Sequence, residues 1–248
     1  MRPLLLLALL LALPVAHAGE ARVAVAANFT AAAGAIEHAF EAGGDHRITV
    51  STGSTGGLYA QIRHGAPFHV FLAADARRPR LLAEQGTAVA GSRFTYAHGR
   101  IALWSPRTGY VTGPNTLRAS RFRHLAMANP RTAPYGLAAK QALRSLGLWR
   151  ELQGRLVRGE NIAQTHQFVA SGNAELGFVA LSQISGPNRP AEGSRWLVPA
   201  SHHAPIRQQA VLLERGAGNR AARAFLDFLR GPEAAAITHD YGYATGKD

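Results

Sequence analysis

The stretch RVAVAANFTAAAGAIEHAF, residues 22–40, decides how the rest of the chain is interpreted. Its first part is a short β-branched run that stops at Ala26 and Ala27, and its second part is rich in alanine with apolar residues at helical spacing. This pattern predicts a strand, a tight turn and a helix, with Asn28 at or near the helix N-cap. The first turn of a helix carries N–H groups without intrahelical partners and a partial positive charge. The turn is therefore either a candidate anion site or an ordinary capped helix start in an α/β core.

The same pattern recurs along the chain. Residues 48–50 and 68–73 are predicted strands, the first followed by a Gly-rich turn and a helix, the second by a helix that Asp75 caps. Alternating strands and helices predict a mostly parallel sheet. Two β-rich runs that meet at His98 and Gly99 interrupt this alternation, which then resumes and includes a predicted strand at 176–181. A loop-rich stretch is expected at 186–205, before a long tail that begins with a strand at 206–213. We therefore expect two α/β lobes: residues 19–98 with 207–248, and residues 99–206.

The first 18 residues are predicted to be a signal peptide rather than part of the fold. Arg2 precedes an apolar stretch that is too short to span a bilayer, and Ala16-His17-Ala18 fits a cleavage site. The chain contains no cysteine, so neither a disulfide nor a lipid-modified cysteine is expected. The expected product is an exported, periplasmic protein without a lipid anchor, and we expect it to be a monomer.

The charge of the chain is strongly positive. There are 27 basic and 15 acidic residues, for a formal net charge of +12. The basic residues are scattered, apart from one cluster at residues 77–80, whereas a nucleic-acid-binding protein would group them on one element with aromatic residues between. No nucleic-acid partner is therefore expected. The charge could attract anions as a weak general field, or it could simply be a solvated surface rich in arginine.

Strand-to-helix junctions supply the candidate site. They lie at Asn28, at Ser54-Thr55, at Pro134-Tyr135 and at Asn161-Ile162, two in each predicted lobe. In an open α/β sheet these turns lie at the carboxyl ends of the strands, where ligands bind. The hydrogen-bond donors at these positions are neutral. A fully ionised oxyanion can only accept hydrogen bonds, so a site that offers donors and no carboxylate is suited to it. Hydrogen bonds to a charged group contribute about 1.5–3 kcal/mol each.

Two other kinds of site are weaker hypotheses. His166, His202, His203 and His239 match no familiar metal-ligand spacing, so no metal site is expected. Ser54 lies in a Gly-rich loop and could suggest a nucleophile, but the chain has no G-x-S-x-G or S-x-x-K motif there. An exported serine hydrolase that uses Ser54 and a histidine remains only a remote alternative, and we expect the protein not to be an enzyme.

Taken together, these motifs resemble one family over the whole mature chain: the molybdate-binding proteins of bacterial ABC importers. Each motif alone would be weak, and together they are specific. The resemblance rests on VAVAANFTAA, residues 51–86, GSRFTYAHGRIALWS, ANPRTAPYGLAAKQAL, residues 159–183 and FLRGPEAAAITHDYGY. It implies an α/β type II periplasmic binding protein fold, in which two lobes joined by a two-strand hinge close around molybdate or tungstate in the cleft between them. It also implies a membrane permease as partner and no cofactor.

Carried over by position, the resemblance implies an oxyanion shell made by Asn28, Thr55, Tyr135 and Ile162, with Ala27 and Ser54 as further candidates. Ile162 would act through its backbone N–H. The sequence departs from the commonest family pattern at two positions: many members have serine at Asn28 and tyrosine at Ala180. A subgroup places its tyrosine in the APYG turn, as Tyr135 is placed here. Sulfate or another tetrahedral oxyanion remains the alternative ligand, because sequence does not give the size of the cavity.

Overall fold

The computed structural model describes residues 19–187 and 192–244. The predicted signal peptide therefore lies outside the described residues. The strands are β1 Glu20–Ala26, β2 Arg47–Gly53, β3 Val70–Ala73, β4 Phe94–Gly99, β5 Ile101–Ser105, β6 Leu125–Ala128, β7 Leu156–Gly159, β8 Leu176–Ala180, β9 Ser194–Leu197 and β10 Ile206–Leu212. The helices are α1 Thr30–Ala42, α2 Thr55–Arg63, α3 Arg77–Glu84, α4 Asn115–Ala119, α5 Pro134–Ser145, α6 Trp149–Leu152, α7 Ile162–Ala170, α8 Leu181–Ile184, α9 Arg220–Arg230 and α10 Pro232–Asp240.

The strands form two five-stranded sheets, one in each lobe. The first has the order β2-β1-β3-β10-β4 and the second β7-β6-β8-β5-β9. In the first sheet β10 runs antiparallel to both of its neighbours, and in the second β5 does. The other strands of each sheet share one direction, in agreement with the predicted mostly parallel sheet. The antiparallel strand is in each case the one that enters its lobe directly from the other lobe.

The chain crosses between the lobes twice. The first crossing is Arg100, between β4 and β5, and the second is the segment that leads into β10. β10 pairs with β3 and β4, so the tail returns to the first lobe, a path that the sequence permitted. We call residues 98–101 and 204–207 the hinge. The exact lobe boundaries given above stay a prediction, although β4 and β5 belong to different sheets.

The central strands of each sheet are buried on both faces, and their side-chain alternation shows why. In β1, Val23 and Val25 pack on one face with Ile36 and Phe225, while Ala24 packs on the opposite face. In β5, Ile101 and Leu103 face one core and Ala102 and Trp104 the other. Successive residues of a strand point to opposite faces, so strands covered on both sides must be apolar almost throughout.

Several local predictions need correction. Residues 194–197 were expected in a loop but form β9 on the edge of the second sheet, because Trp196 packs against the core of that lobe. The strand predicted over 176–181 ends at Ala180, where α8 begins. The short helices α4, α6 and α8 were not predicted, since helices of four or five residues have too few turns for periodicity to show. The prediction for Asp75 is confirmed: its Oδ1 accepts the Arg78 N–H at the start of α3, at 2.9 Å.

The turn between β6 and α5 is tight because of Gly136. A methyl group at this position would overlap the carbonyl oxygen of Ala128 and lie 2.9 Å from the carbonyl carbon of Asn129. The start of α5 therefore lies directly against the end of β6, which fixes where Tyr135 points.

We expect Gly136→Ala to lower the free energy of unfolding by about 1–3 kcal/mol, because the added methyl group cannot be accommodated without moving backbone. Gly34→Ala is the matched control. Gly34 is an exposed residue inside α1 with open space around it, so alanine there should raise stability by up to about 1 kcal/mol. Urea unfolding of both variants measures this, and a Gly136→Ala variant as stable as the wild type would disprove the close packing.

Candidate functional site

The cleft between the lobes is lined by four strand-to-helix junctions. β1 leads into a single 3₁₀ turn at Ala27–Phe29, β2 into α2, β6 into α5 and β7 into α7. Direct hydrogen bonds join opposite sides of this cleft. The Gly56 N–H of α2 donates to the Thr132 carbonyl oxygen at 2.8 Å, and the Ser182 hydroxyl of α8 donates to the Asn28 carbonyl oxygen at 2.9 Å. The lobes are thus in contact on two sides of the predicted site.

Arg78 makes a third contact across the cleft. Its guanidinium pairs with Asp75 on its own lobe, and its Nη2 donates to the carbonyl oxygen of Arg131 on the other lobe at 3.0 Å. Both side chains of the ion pair are largely buried, with 15% and 19% of their surface exposed. Because Asp75 neutralises this arginine, the pair joins the lobes without placing a net charge at the mouth of the cleft.

Asn28 lies near the N-cap of α1, as predicted, but its side chain does not cap the helix. It is 4% exposed and lies in the 3₁₀ turn, while α1 begins at Thr30 without a side-chain cap. Its amide nitrogen donates to Gln208 Oε1 at 2.8 Å and to the Tyr243 hydroxyl at 3.0 Å, with the Tyr135 hydroxyl at 3.5 Å. Local propensity favours a cap, but buried polar partners from distant parts of the chain bind the side chain instead.

The second junction places Thr55 and Ser54 in different roles. Thr55 is the first residue of α2 and is 1% exposed, and its hydroxyl oxygen accepts the Ala74 N–H at 3.1 Å. The Thr55 proton is therefore directed away from Ala74. Ser54 precedes it as the N-cap, and its hydroxyl oxygen accepts the Gly57 N–H at 3.1 Å. A helix-capping hydroxyl accounts for Ser54 without any nucleophilic role.

In the second lobe the site is formed by the starts of α5 and α7. Tyr135 is the second residue of α5 and is 1% exposed, and its hydroxyl oxygen accepts from Gln208 Nε2 at 3.4 Å, with the Asn28 amide nitrogen 3.5 Å away. Ile162 is the first residue of α7, a position whose N–H has no intrahelical partner. The Ile162 carbonyl oxygen accepts from Gln183 Nε2 at 3.0 Å, which ties the first turn of α7 to α8.

The structure adds residues that the sequence reasoning missed. Gln208 is fully buried, and its Oε1 accepts from Asn28 and from the Tyr96 hydroxyl. Tyr243, from the tail of the chain, donates its hydroxyl to the Asn28 carbonyl oxygen at 2.7 Å and also contacts Ser182. A glutamine pair inside the predicted strand IRQQAVLL, just before its apolar half, was the one sequence signal for Gln208. Tyr243 had no signal, because its contact with Asn28 spans 215 residues.

We refer to Asn28, Gln208 and the three phenols of Tyr96, Tyr135 and Tyr243 as the polar cluster. Burial raises the pKa of the Tyr135 and Tyr96 phenols well above their usual value, and the neighbouring phenols raise each of them further. Burial also raises the pKa of Tyr243, although its hydrogen bonds with Ser182 and Asn28 oppose part of this effect. All three phenols therefore keep their protons at neutral pH and remain hydrogen-bond donors.

The histidines considered as metal ligands lie apart. His202 bonds to the Ser145 hydroxyl, His166 stacks on Trp104, and His239 lies beside Asp240. Within residues 19–187 and 192–244, no group of three or more His, Cys, Asp or Glu side chains is arranged to hold a metal ion. The same residues contain no helix of the length and apolar character needed to cross a bilayer.

Two α/β lobes with helix N-termini meeting in the cleft between them define a solute-binding protein. Residues 21–244 match the family of bacterial extracellular solute-binding proteins, and the chain belongs to that family. It is 52% identical to the molybdate-binding protein ModA of Azotobacter vinelandii, covering 92% of this chain and 91% of that one. It is 47% identical to ModA of Rhodobacter capsulatus, covering 95% and 92%.

A solved structure agrees with these sequence relatives. The periplasmic molybdate-binding protein of Azotobacter vinelandii superposes on this chain with a TM-score of 0.89 at 41% identity, covering 92% of this chain and all of that one. The fold predicted from the sequence, the type II periplasmic binding protein fold with two lobes, is thereby confirmed.

The polar cluster generates a prediction about alkaline stability. The buried phenols have pKa values above the value of about 10 expected in the unfolded chain, so the neutral forms that they stabilise are fully present below pH 10. As the pH rises above 10, the unfolded chain loses protons that the folded one retains, and stability falls by up to about 4 kcal/mol per pH unit for three phenols.

Tyr243→Phe should reduce this slope by about one third, because one of three phenols is removed. Guanidinium unfolding at several pH values between about 9 and 11.5 measures the slope. Tyr59→Phe is the control, since Tyr59 lies on the surface of α2 and contacts only Gln85 through its hydroxyl among the described residues. Equal slopes in all three proteins would show that the phenols are not held neutral by the fold.

Proposed function

We propose that this protein binds molybdate, and tungstate as its close analogue, between the two lobes and delivers it to the permease of an ABC importer. The observation that carries this proposal is the convergence of four neutral strand-to-helix junctions on one cleft. The full-length relatives named for molybdate binding support the choice of ligand. The predicted signal peptide supports a periplasmic location, and we propose that the protein acts there as a monomer without a cofactor.

The proposed ligands are donors whose own acceptor atoms are already used. The Thr55 oxygen accepts from Ala74 and the Tyr135 oxygen accepts from Gln208, so each hydroxyl can offer its proton to an anion. The N–H groups of Ile162 and Ala27 lie at helix starts and add donors without side chains. Several such bonds, at about 1.5–3 kcal/mol each, can hold a dianion without a cationic side chain.

For Asn28 we propose a different contribution from the one first expected. Its side-chain amide already donates to Gln208 and Tyr243, which uses both of its hydrogens. The backbone N–H of the 3₁₀ turn would then face the oxyanion, while the side chain orients the phenols around it. Ser54 would contribute only through its cap on α2, which fixes the start of that helix.

The lobe contacts suggest how binding becomes transport. Gly56, Arg78 and Ser182 each donate to a backbone carbonyl on the opposite lobe, so the closed arrangement has its own contacts outside the oxyanion shell. An anion that bonds to both lobes favours the closed form over the open one. The permease would then distinguish the loaded protein from the empty one by its shape.

Isothermal titration of the purified, ligand-depleted protein tests the proposal directly. We expect molybdate and tungstate to bind with dissociation constants of about 1 μM or lower, and sulfate to compete only at much higher concentration. Molybdate at 100 times its dissociation constant should also raise the free energy of unfolding by about 2.7 kcal/mol. No binding of either anion at micromolar concentration would refute the function, and sulfate binding of equal strength would move the assignment to sulfate.

Tyr135→Phe tests the role of the phenol. Loss of one charge-assisted hydrogen bond should weaken molybdate binding by about tenfold to a hundredfold with the fold intact. Tyr110→Phe is a matched control, because the Tyr110 hydroxyl donates to the Arg121 carbonyl oxygen on the surface of the same lobe. Unchanged affinity in the Tyr135 variant would reject Tyr135 as a ligand while leaving the function itself standing.

A further inference from the structure

The last described residues of the chain lie against the hinge. After α10 the backbone turns at Gly242, which has a φ of +82° that favours glycine, and Ala244 pairs with His98 of β4 through hydrogen bonds of 2.8 and 3.1 Å. On its other side His98 pairs with Arg207 of β10. We call residues 242–244 the strap, because they run beside both segments of the hinge.

Tyr243 of the strap binds Asn28 twice. Its hydroxyl donates to the Asn28 carbonyl oxygen at 2.7 Å and accepts from the Asn28 side-chain amide at 3.0 Å. Its ring packs edge-on against Phe29, with the ring centroids 5.2 Å apart. Because a peptide group is planar, fixing the Asn28 carbonyl also fixes the peptide that joins Asn28 to Phe29. One phenol therefore holds both the backbone and the side chain of the turn at Ala27–Phe29.

The second lobe reaches the same carbonyl oxygen from the hinge. Ser182, in the first turn of α8, is buried and donates to the Asn28 oxygen at 2.9 Å. The residue before it, Leu181, donates its N–H at 2.8 Å to the carbonyl oxygen of Arg100, the residue at which the chain first crosses between the lobes. A group this close to the hinge is displaced little when the lobes rotate apart. We therefore expect the bond between Ser182 and Asn28 to persist in the open protein.

Two of the proposed donors lie farther from the hinge. The hinge leads into β10 and β5, and the strands that precede Thr55 and Ile162, β2 and β7, are each three strands away from these, roughly 14 Å. β6, which precedes Tyr135, is two strands away. The Tyr135 phenol nevertheless reaches back to the hinge, where a methyl group on Gly99 would overlap its hydroxyl oxygen. Opening the lobes thus separates Thr55 from Ile162 far more than it separates Tyr135 from the turn at Ala27–Phe29.

We propose that Tyr243 is a positioning residue that keeps the hinge side of the oxyanion site assembled while the lobes are open, so that the anion is captured there first. This inference rests on the proposed function, since it concerns the order in which the same site is filled. The hinge side consists of the Tyr135 phenol and the N–H groups of the turn at Ala27–Phe29. Thr55 and Ile162 complete the shell only when the lobes close.

The experiment measures the association and dissociation rate constants of molybdate separately. Stopped-flow fluorescence reports both, with a dye attached to a single cysteine introduced by Glu160→Cys. The chain has no cysteine of its own, and Glu160 is exposed just before α7. Substitutions in a binding site act mostly on dissociation, so an effect on association is diagnostic.

We expect Tyr243→Phe to lower the association rate constant about tenfold, because the binding-competent form of the turn becomes a minor population. Thr55→Val should leave association unchanged and raise the dissociation rate constant about tenfold, because its hydroxyl joins the shell after capture. Tyr241→Phe is the matched control and should change neither constant. It removes a phenolic hydroxyl just before the strap that has no hydrogen-bond partner within residues 19–187 and 192–244.

The contrast between the two variants separates positioning from general damage, because a loosened protein would change both in the same way. If Tyr243→Phe does not fold, as judged by circular dichroism, Ser182→Ala carries the same test, since it removes the other donor to the Asn28 carbonyl oxygen. An association rate constant equal to that of the wild type, or one that Thr55→Val lowers equally, overturns the inference. A wild type that does not bind molybdate would instead refute the proposed function.

Discussion

Bringing several helix N-termini to one point is the physical constraint on which this structure depends. The start of a helix carries a partial positive charge, and α2, α5 and α7 all begin at the cleft beside the turn at Ala27–Phe29. Closing the lobes brings these charges together, which opposes closure unless an acceptor lies between them. An anion placed between the helix starts attracts each of them and so favours closure of the lobes. The closed form and the bound ligand are therefore linked by electrostatics that belong to the backbone rather than to charged side chains.

The polar cluster keeps the candidate site rigid although the site has no charged side chains. Asn28, Gln208, Tyr135 and Tyr243 are buried and hydrogen-bonded to one another or to backbone, and no buried side-chain nitrogen or oxygen among the described residues lacks a partner. A fully bonded network fixes each side chain more firmly than apolar packing does, because any rotation leaves a buried group unpaired. Its members come from both lobes and from the tail, so it assembles only when the whole chain is folded.

The sequence predicted the parts of this architecture that are local. The positions of Thr55, Tyr135 and Ile162 at helix starts could be predicted because a strand, a turn and a helix start are consecutive in the chain. The alternation of strands and helices predicted the mostly parallel sheets. Asn28 lies near the N-cap as predicted, but its side chain does not cap the helix because Gln208 and Tyr243, 180 and 215 residues away, bind it. Contacts between residues this far apart in the chain leave no recognisable pattern in the local sequence. The resemblance to a family added the candidate ligand set, which stays a prediction until a ligand is bound.

Charge and hydrogen-bond direction have separate roles in selecting the ligand. A net charge of +12 attracts any anion and raises its local concentration, but it cannot distinguish one dianion from another. A cationic side chain in the cleft would share this limit, because its attraction depends on charge and distance alone. Donors with fixed direction depend also on where the lone pairs and protons of the ligand are. A site built from backbone N–H groups and oriented hydroxyls can therefore reject an anion of the correct charge that carries a proton in the wrong place.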